Sequence, residues 1–180
     1  MGSDITYAQL DAHARAFAGW LQSLGLPKGS RVALMMPNVP AYLVAMLGTL
    51  RAGHAVVNVN PLYTADELQR QLQDSGASVI VILENFAHTL QSVSDRGALK
   101  HIVVTGPGDL LGGLKAPLVN LAARYIKKLV PAWRIDGALM LPQVLAQGAR
   151  LPFAAPAISM DDLCLLYTSL SPRDRQKSRM

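Results

Sequence analysis

The chain has 180 residues, of which 51% are hydrophobic and 16% charged, and it carries a formal net charge of +5. This composition is too apolar for wholesale disorder and the length suffices to bury a core, so one globular domain is expected. The single cysteine excludes an internal disulfide. The sequence has no run of about 20 apolar residues that could cross a membrane and no signal peptide with a basic region followed by an apolar one. These features favour a soluble, cytoplasmic protein.

Helices and short apolar runs alternate through the first hundred residues. Apolar side chains spaced by three and four predict a first helix over Thr6–Leu24, with Gly25 as its C-cap. Apolar runs that do not alternate predict strands buried on both faces, at Arg31–Met36, Ala55–Val59, Val79–Leu83 and His101–Val104. Further helices are predicted over Pro40–Gly53, Ala65–Gln73 and Phe86–Val93.

The third predicted helix has a capping box. Thr64 and Glu67 have the spacing at which each side chain accepts the other residue's backbone N–H. Short strands that alternate with helices of this length imply parallel pairing, because parallel neighbours need a crossover connection. The expected fold is therefore α/β, with a doubly wound, mostly parallel sheet and helices on both faces.

The pattern weakens after Thr105. An amphipathic helix is predicted over Leu118–Val130, with Arg124, Lys127 and Lys128 on its polar side. Such a face can contact an anionic membrane surface, but a helix packed on its own domain gives the same pattern, and the second interpretation is favoured.

Three prolines interrupt the segment Leu141–Ala157. Pro142, Pro152 and Pro156 make it poor material for either a helix or a strand. We therefore expect a proline-rich loop there.

Few residues suggest chemistry directly. Gly106-Pro107-Gly108 lacks the lysine and hydroxyl residue of a phosphate-binding loop and is expected to be an ordinary loop. Asp161-Asp162 is expected to be a solvated turn rather than part of a metal site. The four histidines lack partners at ligand spacing and are expected to pack at or near the surface without a metal, at His13, His54, His88 and His101.

The ends of two predicted strands are candidate ligand positions. In a doubly wound sheet, ligands bind beyond the carboxyl ends of the strands, which places Pro37-Asn38 and Asn60-Pro61 there. Asn and Pro at such positions are also ordinary turn residues, and this interpretation is favoured.

A long central stretch has a specific resemblance. GSRVALMMPNVPAYLVAMLGTLRAGHAVVNVNPLYTADELQRQLQDSGASVIVI, at Gly29–Ile82, resembles the amino-terminal subdomain of adenylate-forming enzymes, and in particular bacterial long-chain fatty-acid coenzyme A ligases. Flanking motifs are also similar, namely Ile5-Thr6-Tyr7, NFAHTL from Asn85 and RYIKKLVP from Arg124. The resemblance covers about residues 1–163, with small departures at Ser30 and His54.

The resemblance implies an activity for a longer enzyme. Members of the family use ATP and Mg2+ to convert a fatty acid to an acyl-adenylate and pyrophosphate, then transfer the acyl group to coenzyme A. They continue from a D-L-x-x-L-Q-Y-T strand into a glycine-rich phosphate loop, which this chain lacks after Asp162-Leu163. We therefore expect residues 1–163 to be a partial AMP-binding domain that is inactive alone, with no catalytic or cofactor-binding residue and an unknown substrate contact.

The remaining segment, Cys164–Met180, resembles something else. CLLYTS is what the bases TGT CTC TTA TAC ACA TCT encode, which is the end of a transposase adapter used in sequencing libraries. The segment is therefore expected to be a non-native, disordered tail. It also holds much of the excess positive charge, from four basic residues against Asp174.

Two other functions remain open if the tail is native. The chain could be a stand-alone α/β module that binds a nucleotide or an acyl chain and carries a basic tail. It could also bind nucleic acid through Arg173–Arg179, but the only nearby aromatic stacking partner is Tyr167, so a nucleic-acid partner is not expected. The expected partners of the whole enzyme are fatty acid, ATP and coenzyme A, with peripheral contact to the inner face of the cell membrane.

Overall fold

A computed structural model describes residues 5–110, 119–121 and 130–166. Its strands are β1 Arg31–Met35, β2 Ala55–Asn58, β3 Val79–Leu83, β4 His101–Thr105, β5 Leu139–Met140 and β6 Leu165–Leu166. Its helices are α1 Tyr7–Ser23, α2 Pro40–Arg51, α3 Ala65–Ser75, α4 Ala87–Gln91 and α5 Leu141–Gly148, with a 3-10 turn at Glu84–Phe86. Each of the first four strands and helices lies where the sequence pattern predicts it, within a few residues at the ends.

The strands form one parallel sheet in the order β5-β4-β3-β1-β2-β6. The chain moves from β1 outward to β2, then crosses back to β3 on the other side of β1 and continues outward through β4 and β5. The direction of winding therefore reverses between β1 and β3. This confirms the predicted doubly wound, parallel α/β fold.

Helices cover both faces of the sheet because neighbouring strand residues point to opposite sides. Val32 and Leu34 of β1 pack in a core cluster with α1, α2 and α5. Ala33 and Met35 of the same strand pack in a second cluster with α3 and α4. Strands buried on both sides explain why these runs are continuously apolar rather than alternating.

The helix ends use the local signals in the sequence. The Thr64 hydroxyl accepts the Glu67 N–H at 3.4 Å, and the Glu67 carboxylate accepts the Thr64 N–H at 2.9 Å, which confirms the predicted capping box. The same helix ends at Gly76, whose φ of 60° is left-handed and favours glycine. These bonds satisfy backbone groups that a helix end leaves without partners.

Glycines allow α1 to approach its two neighbours closely. A Cβ at Gly48 of α2 would lie 2.8 Å from the Ala14 carbonyl oxygen, and one at Gly148 of α5 would lie 1.9 Å from the Ala16 carbonyl oxygen. Side chains at these two points would force the helices apart.

The prediction that Leu141–Ala157 is poor helix material was wrong for its first half. Leu141–Gly148 is the helix α5, because Pro142 lies in the first turn, where its missing N–H costs no helical hydrogen bond. The Gln143 side chain accepts the Met140 N–H at 3.2 Å, and Leu141, Val144 and Leu145 are buried against the sheet.

The last part of the chain enters the sheet briefly. Leu165 and Leu166 pair in register with Val56 and Val57 of β2, so two residues near the start of the predicted disordered tail, Cys164–Met180, are paired. Residues 167–180 lie outside the described residues, and the domain boundary at Cys164 stays a prediction. Of the predicted helix Leu118–Val130, residues 119–121 are helical and 122–129 are outside the described part.

Candidate functional site at the carboxyl edge of the sheet

The carboxyl ends of the parallel strands meet at one edge of the sheet. Because β1 and β3 are neighbours at the reversal of winding, the segments that follow them flank the position where open α/β sheets bind ligands. Those segments are Pro37-Asn38, predicted from the sequence, and Glu84-Asn85, which sequence reasoning missed. Glu84 could have been noticed as a carboxylate directly after five buried residues.

Pro37-Asn38 forms an exposed turn. The Pro37 carbonyl accepts the Val39 N–H at 2.8 Å, which leads directly into α2 at Pro40. Both Pro37 and Asn38 are solvent-exposed. The exposed side chains of Pro37 and Asn38 can therefore contact a ligand where the direction of winding reverses. The Pro37 carbonyl is already used in the hydrogen bond of the turn.

Asn60-Pro61 also serves as a turn. The Asn60 Oδ1 accepts the Leu62 N–H at 3.0 Å, which is an Asx turn, and its carbonyl accepts the Tyr63 N–H at 3.1 Å. The favoured interpretation of these residues as turn chemistry is confirmed. A neighbouring polar contact joins Tyr42 to Asn58, where the Tyr42 hydroxyl donates to Asn58 Oδ1 at 3.0 Å.

Glu84 is the most buried acidic side chain at this edge. It is 1% exposed, and the Trp133 indole Nε1–H donates to its Oε1 at 3.4 Å. The residue after Trp133 is held as well, since the Arg134 N–H donates to Gln91 Oε1 at 2.7 Å. These contacts hold Trp133 and Arg134 beside the end of β3 and the last residue of α4.

The backbone amides of the glycine-containing segment after β4 donate to two side chains, one within the segment and one outside it. The Asp109 carboxylate accepts the Gly106 N–H at 2.7 Å, and Asn120 Oδ1 accepts the Gly108 N–H at 2.7 Å. Asn120 in turn donates to Asp109 at 2.7 Å, and a Cβ at Gly106 would lie 2.8 Å from Asn120. The amides of Gly106 and Gly108 are therefore bonded within the domain, and residues 107–110 form a turn, in agreement with the predicted loop.

The histidines do not assemble a metal site. Within residues 5–110, 119–121 and 130–166, no three metal-ligating side chains come together. The His88 Nδ1 lies 3.1 Å from the Asn85 carbonyl, and His101 packs edge-on to Trp20. Burial lowers the pKa of His13 below its ordinary value.

His54 departs from the prediction of surface or partly buried packing. It is only 4% exposed, and in the described part of the chain neither ring nitrogen has a hydrogen-bond partner. Burial lowers its pKa below its ordinary value, so the ring is neutral at physiological pH. Its position before β2 places it at the amino edge of the sheet, away from the candidate site.

The sequence also predicted a solvated turn at Asp161-Asp162 and a basic membrane-contact face on a helix. Asp161 lies in a turn, as expected, and Asp162 pairs with Lys28 at 2.6 Å. The predicted membrane-contact residues Arg124, Lys127 and Lys128 lie outside the described residues. In the part of the chain that the structure covers, no helix is long and apolar enough to span a bilayer.

Comparison with known proteins identifies the family. The model of the AMP-binding enzyme family matches residues 1–169, which is most of the chain. The chain belongs to the AMP-binding enzyme family. The long-chain-fatty-acid–CoA ligase of Escherichia coli O157:H7 is 51% identical over 170 residues, and that of Yersinia pestis is 49% identical over the same length. These alignments cover 93% of this chain and 30% of each relative, so the chain spans about a third of their length.

Solved structures agree with the fold. The anthranilate CoA ligase AuaEII in complex with anthranoyl-AMP superposes with a TM-score of 0.68 over 92% of this chain and 27% of that structure, at 21% identity. Apo MatB from Rhodopseudomonas palustris gives 0.65 at 27% identity, with the same coverage of both chains. The sheet and its helices therefore correspond to the amino-terminal subdomain of adenylate-forming AMP-binding enzymes.

Proposed function

We propose that residues 1–163 form the amino-terminal part of an ATP-dependent long-chain fatty-acid coenzyme A ligase. The observation that carries this proposal is the 51% identity to a relative named for that activity, against 33% for a 4-coumarate–CoA ligase of rice over the same length. Identity along nearly the whole described sheet supports the fatty-acid branch of the family rather than the fold alone.

In the proposed reaction, the fatty-acid carboxylate attacks the α-phosphorus of ATP, and pyrophosphate leaves. The thiol of coenzyme A then attacks the acyl carbonyl, and AMP leaves. Both steps depend on positioning and on charge stabilisation around the phosphates. Residues 1–163 are proposed to contribute the parallel sheet and the exposed Pro37-Asn38 turn beside the reversal of winding.

The 180-residue chain is proposed to form no adenylate alone. Its sequence has no G-x-x-x-x-G-K-[ST] or G-x-G-x-x-G segment, and the amides of Gly106 and Gly108 are occupied by side chains. The family's Mg2+ is assigned no ligand here, because the described residues bring no three ligating side chains together.

The test compares two proteins in a pyrophosphate-release assay with MgATP and oleate. The complete gene product that contains residues 1–163 should release pyrophosphate and form oleoyl-CoA when coenzyme A is added. The 180-residue chain should stay at the level of a blank without protein. Pyrophosphate release by the 180-residue chain above the blank would overturn the proposal that it is inactive alone.

Peripheral membrane contact and a cytoplasmic location are further proposals for the whole enzyme. The first rests on the basic side of the predicted helix, and the second on the single cysteine, which leaves no internal disulfide. Replacing Arg124, Lys127 and Lys128 with glutamine in the complete protein should reduce its flotation with anionic phosphatidylserine vesicles. Equal flotation of the substituted and unsubstituted proteins would contradict the membrane proposal.

A further inference from the structure

The segment that joins α5 to β6 is fastened to the rest of the domain before it reaches the sheet. We call residues 151–164 the strap, which contains neither helix nor strand. Near its start, the Gln22 side-chain amide donates to the Ala154 carbonyl at 2.7 Å and accepts the Ala154 N–H at 3.2 Å. The Arg15 guanidinium lies 5.8 Å from the centre of the Phe153 ring. These contacts dock the beginning of the strap on α1.

A charge pair fastens the end of the strap. Lys28 Nζ lies 2.6 Å from Asp162 Oδ2, and the same oxygen accepts the Ser159 N–H at 2.7 Å. The hydrogen bond from Lys28, with that from Ser159, lowers the pKa of Asp162 below its ordinary value, so the carboxylate is charged at neutral pH. The backbone beside Lys28 is held in position, because the next residue, Gly29, donates its N–H to the carbonyl of Gly53 at 2.8 Å.

The short distance from this pair to the sheet restricts the register of β6. The Cys164 carbonyl accepts the Val56 N–H at 2.9 Å, only two residues after Asp162. A slip of β6 that keeps the same side chains on each face requires a shift of two residues, or about 7 Å along the strand. Two residues of fully extended chain span no more than about 7 Å, so a slip of this size that moves Cys164 away from Lys28 would pull Asp162 off the lysine.

The pairing of β6 itself gives little information about register. The strand has two residues, and Leu165 is 50% exposed. A strand of two residues with one half-exposed leucine gives neither face of the sheet a strong preference for one register. The contacts that precede β6 must therefore determine the register in which β6 pairs with β2.

We propose that Lys28 and Asp162 form a register clamp, which holds β6 beside β2 and directs the chain leaving β6 toward the carboxyl edge of the sheet. The side-chain contacts that fasten the strap lie at or before Asp162, and the contact after it uses only the backbone carbonyl of Cys164. The clamp therefore acts on whatever sequence follows residue 163, which explains how Leu165 and Leu166 enter the sheet although they lie in the adapter-like segment. This proposal does not depend on the proposed function.

Two adjacent amides of β2 provide a test. Ala55 donates its N–H to the carbonyl of Ser30, directly before β1, at 3.0 Å, whereas Val56 donates to the carbonyl of Cys164 on the β6 side. Hydrogen exchange of the two amides, measured by NMR on the 180-residue chain, therefore reports separately on the two sides of one strand. In Lys28→Met, which keeps the aliphatic stem, Val56 should exchange at least about tenfold faster while Ala55 is unchanged.

Matched variants distinguish the clamp from the pairing of β6. Lys100→Met removes the same charge at an exposed position before β4 and should change neither amide. Leu165→Ser should also leave Val56 protected, and the swap Lys28→Asp with Asp162→Lys should restore protection. The proposal is overturned if Val56 is unaffected in Lys28→Met, if Leu165→Ser accelerates it equally, or if Ala55 and Val56 accelerate together.

Discussion

Replacing Gly148 with alanine should destabilise the domain by separating α5 from α1. The new Cβ would lie 1.9 Å from the Ala16 carbonyl oxygen, whereas ordinary contacts begin at 3.4 Å, so the helices must move apart by roughly 1.5 Å. The oxygen belongs to helix backbone, which cannot rotate away. Overpacking of this kind costs about 3 kcal/mol, and the better helix propensity of alanine offsets up to about 1 kcal/mol, leaving a loss of about 2 kcal/mol.

Gly19→Ala is the matched control, because Gly19 lies on α1 in the same interface. Its Cβ would lie 3.2 Å from the Gly148 carbonyl oxygen, so a shift of a few tenths of an ångström suffices. Urea unfolding followed by circular dichroism should show a lower midpoint for Gly148→Ala at an unchanged slope, with Gly19→Ala near the parent chain. Equal midpoints for the two variants would refute the close-contact reasoning.

Three further predictions concern buried and capping groups. Burial lowers the pKa of His54 from its ordinary 6.5, so the unfolded chain binds the proton more readily than the folded chain. The contribution of His54 to the free energy of unfolding is therefore full above about pH 6.5. It falls as the pH drops from 6.5 toward the lowered pKa. His54→Leu should make urea midpoints less dependent on pH between about 5 and 8, and an unchanged dependence would contradict this. Thr64→Ala should cost about 1 kcal/mol by removing the cap of α3, while Thr64→Ser should retain most of it, as measured by urea unfolding. Asp109→Ala should cost about 1–3 kcal/mol because it leaves the Gly106 N–H without its acceptor, and a thermal midpoint equal to that of the parent chain would argue against this role.

The local signals of the chain predicted most of the first hundred residues correctly. Thr64 and Glu67 form the expected capping box because both partners lie within one helical turn. The strands were recognisable because a strand buried on both faces must be apolar at every position, and Val79–Leu83 is buried throughout. The family resemblance also followed from continuous sequence, and the AMP-binding match over residues 1–169 confirms it.

The candidate site was only partly predictable. Its location followed from the parallel sheet, and Pro37-Asn38 was placed correctly beside the reversal of winding. Glu84 was missed because its partner Trp133 lies 49 residues away, and no local pattern links the two. The occupied glycine amides after β4 likewise depend on Asn120, which lies outside the loop.

The sequence by itself determined the alternation of strands and helices, the caps and the family, because these depend on periodicity and on residues within one turn of each other. Only the tertiary structure decided that Leu141–Gly148 is helical, since Pro142 is harmless in a first turn and burial against α1 and the sheet stabilises the rest. It also decided the entry of Leu165 and Leu166 into the sheet. Two adjacent leucines do not by themselves determine where a strand pairs. Their position depends on the strap, which is fastened to Gln22 and Lys28, more than a hundred residues earlier in the chain.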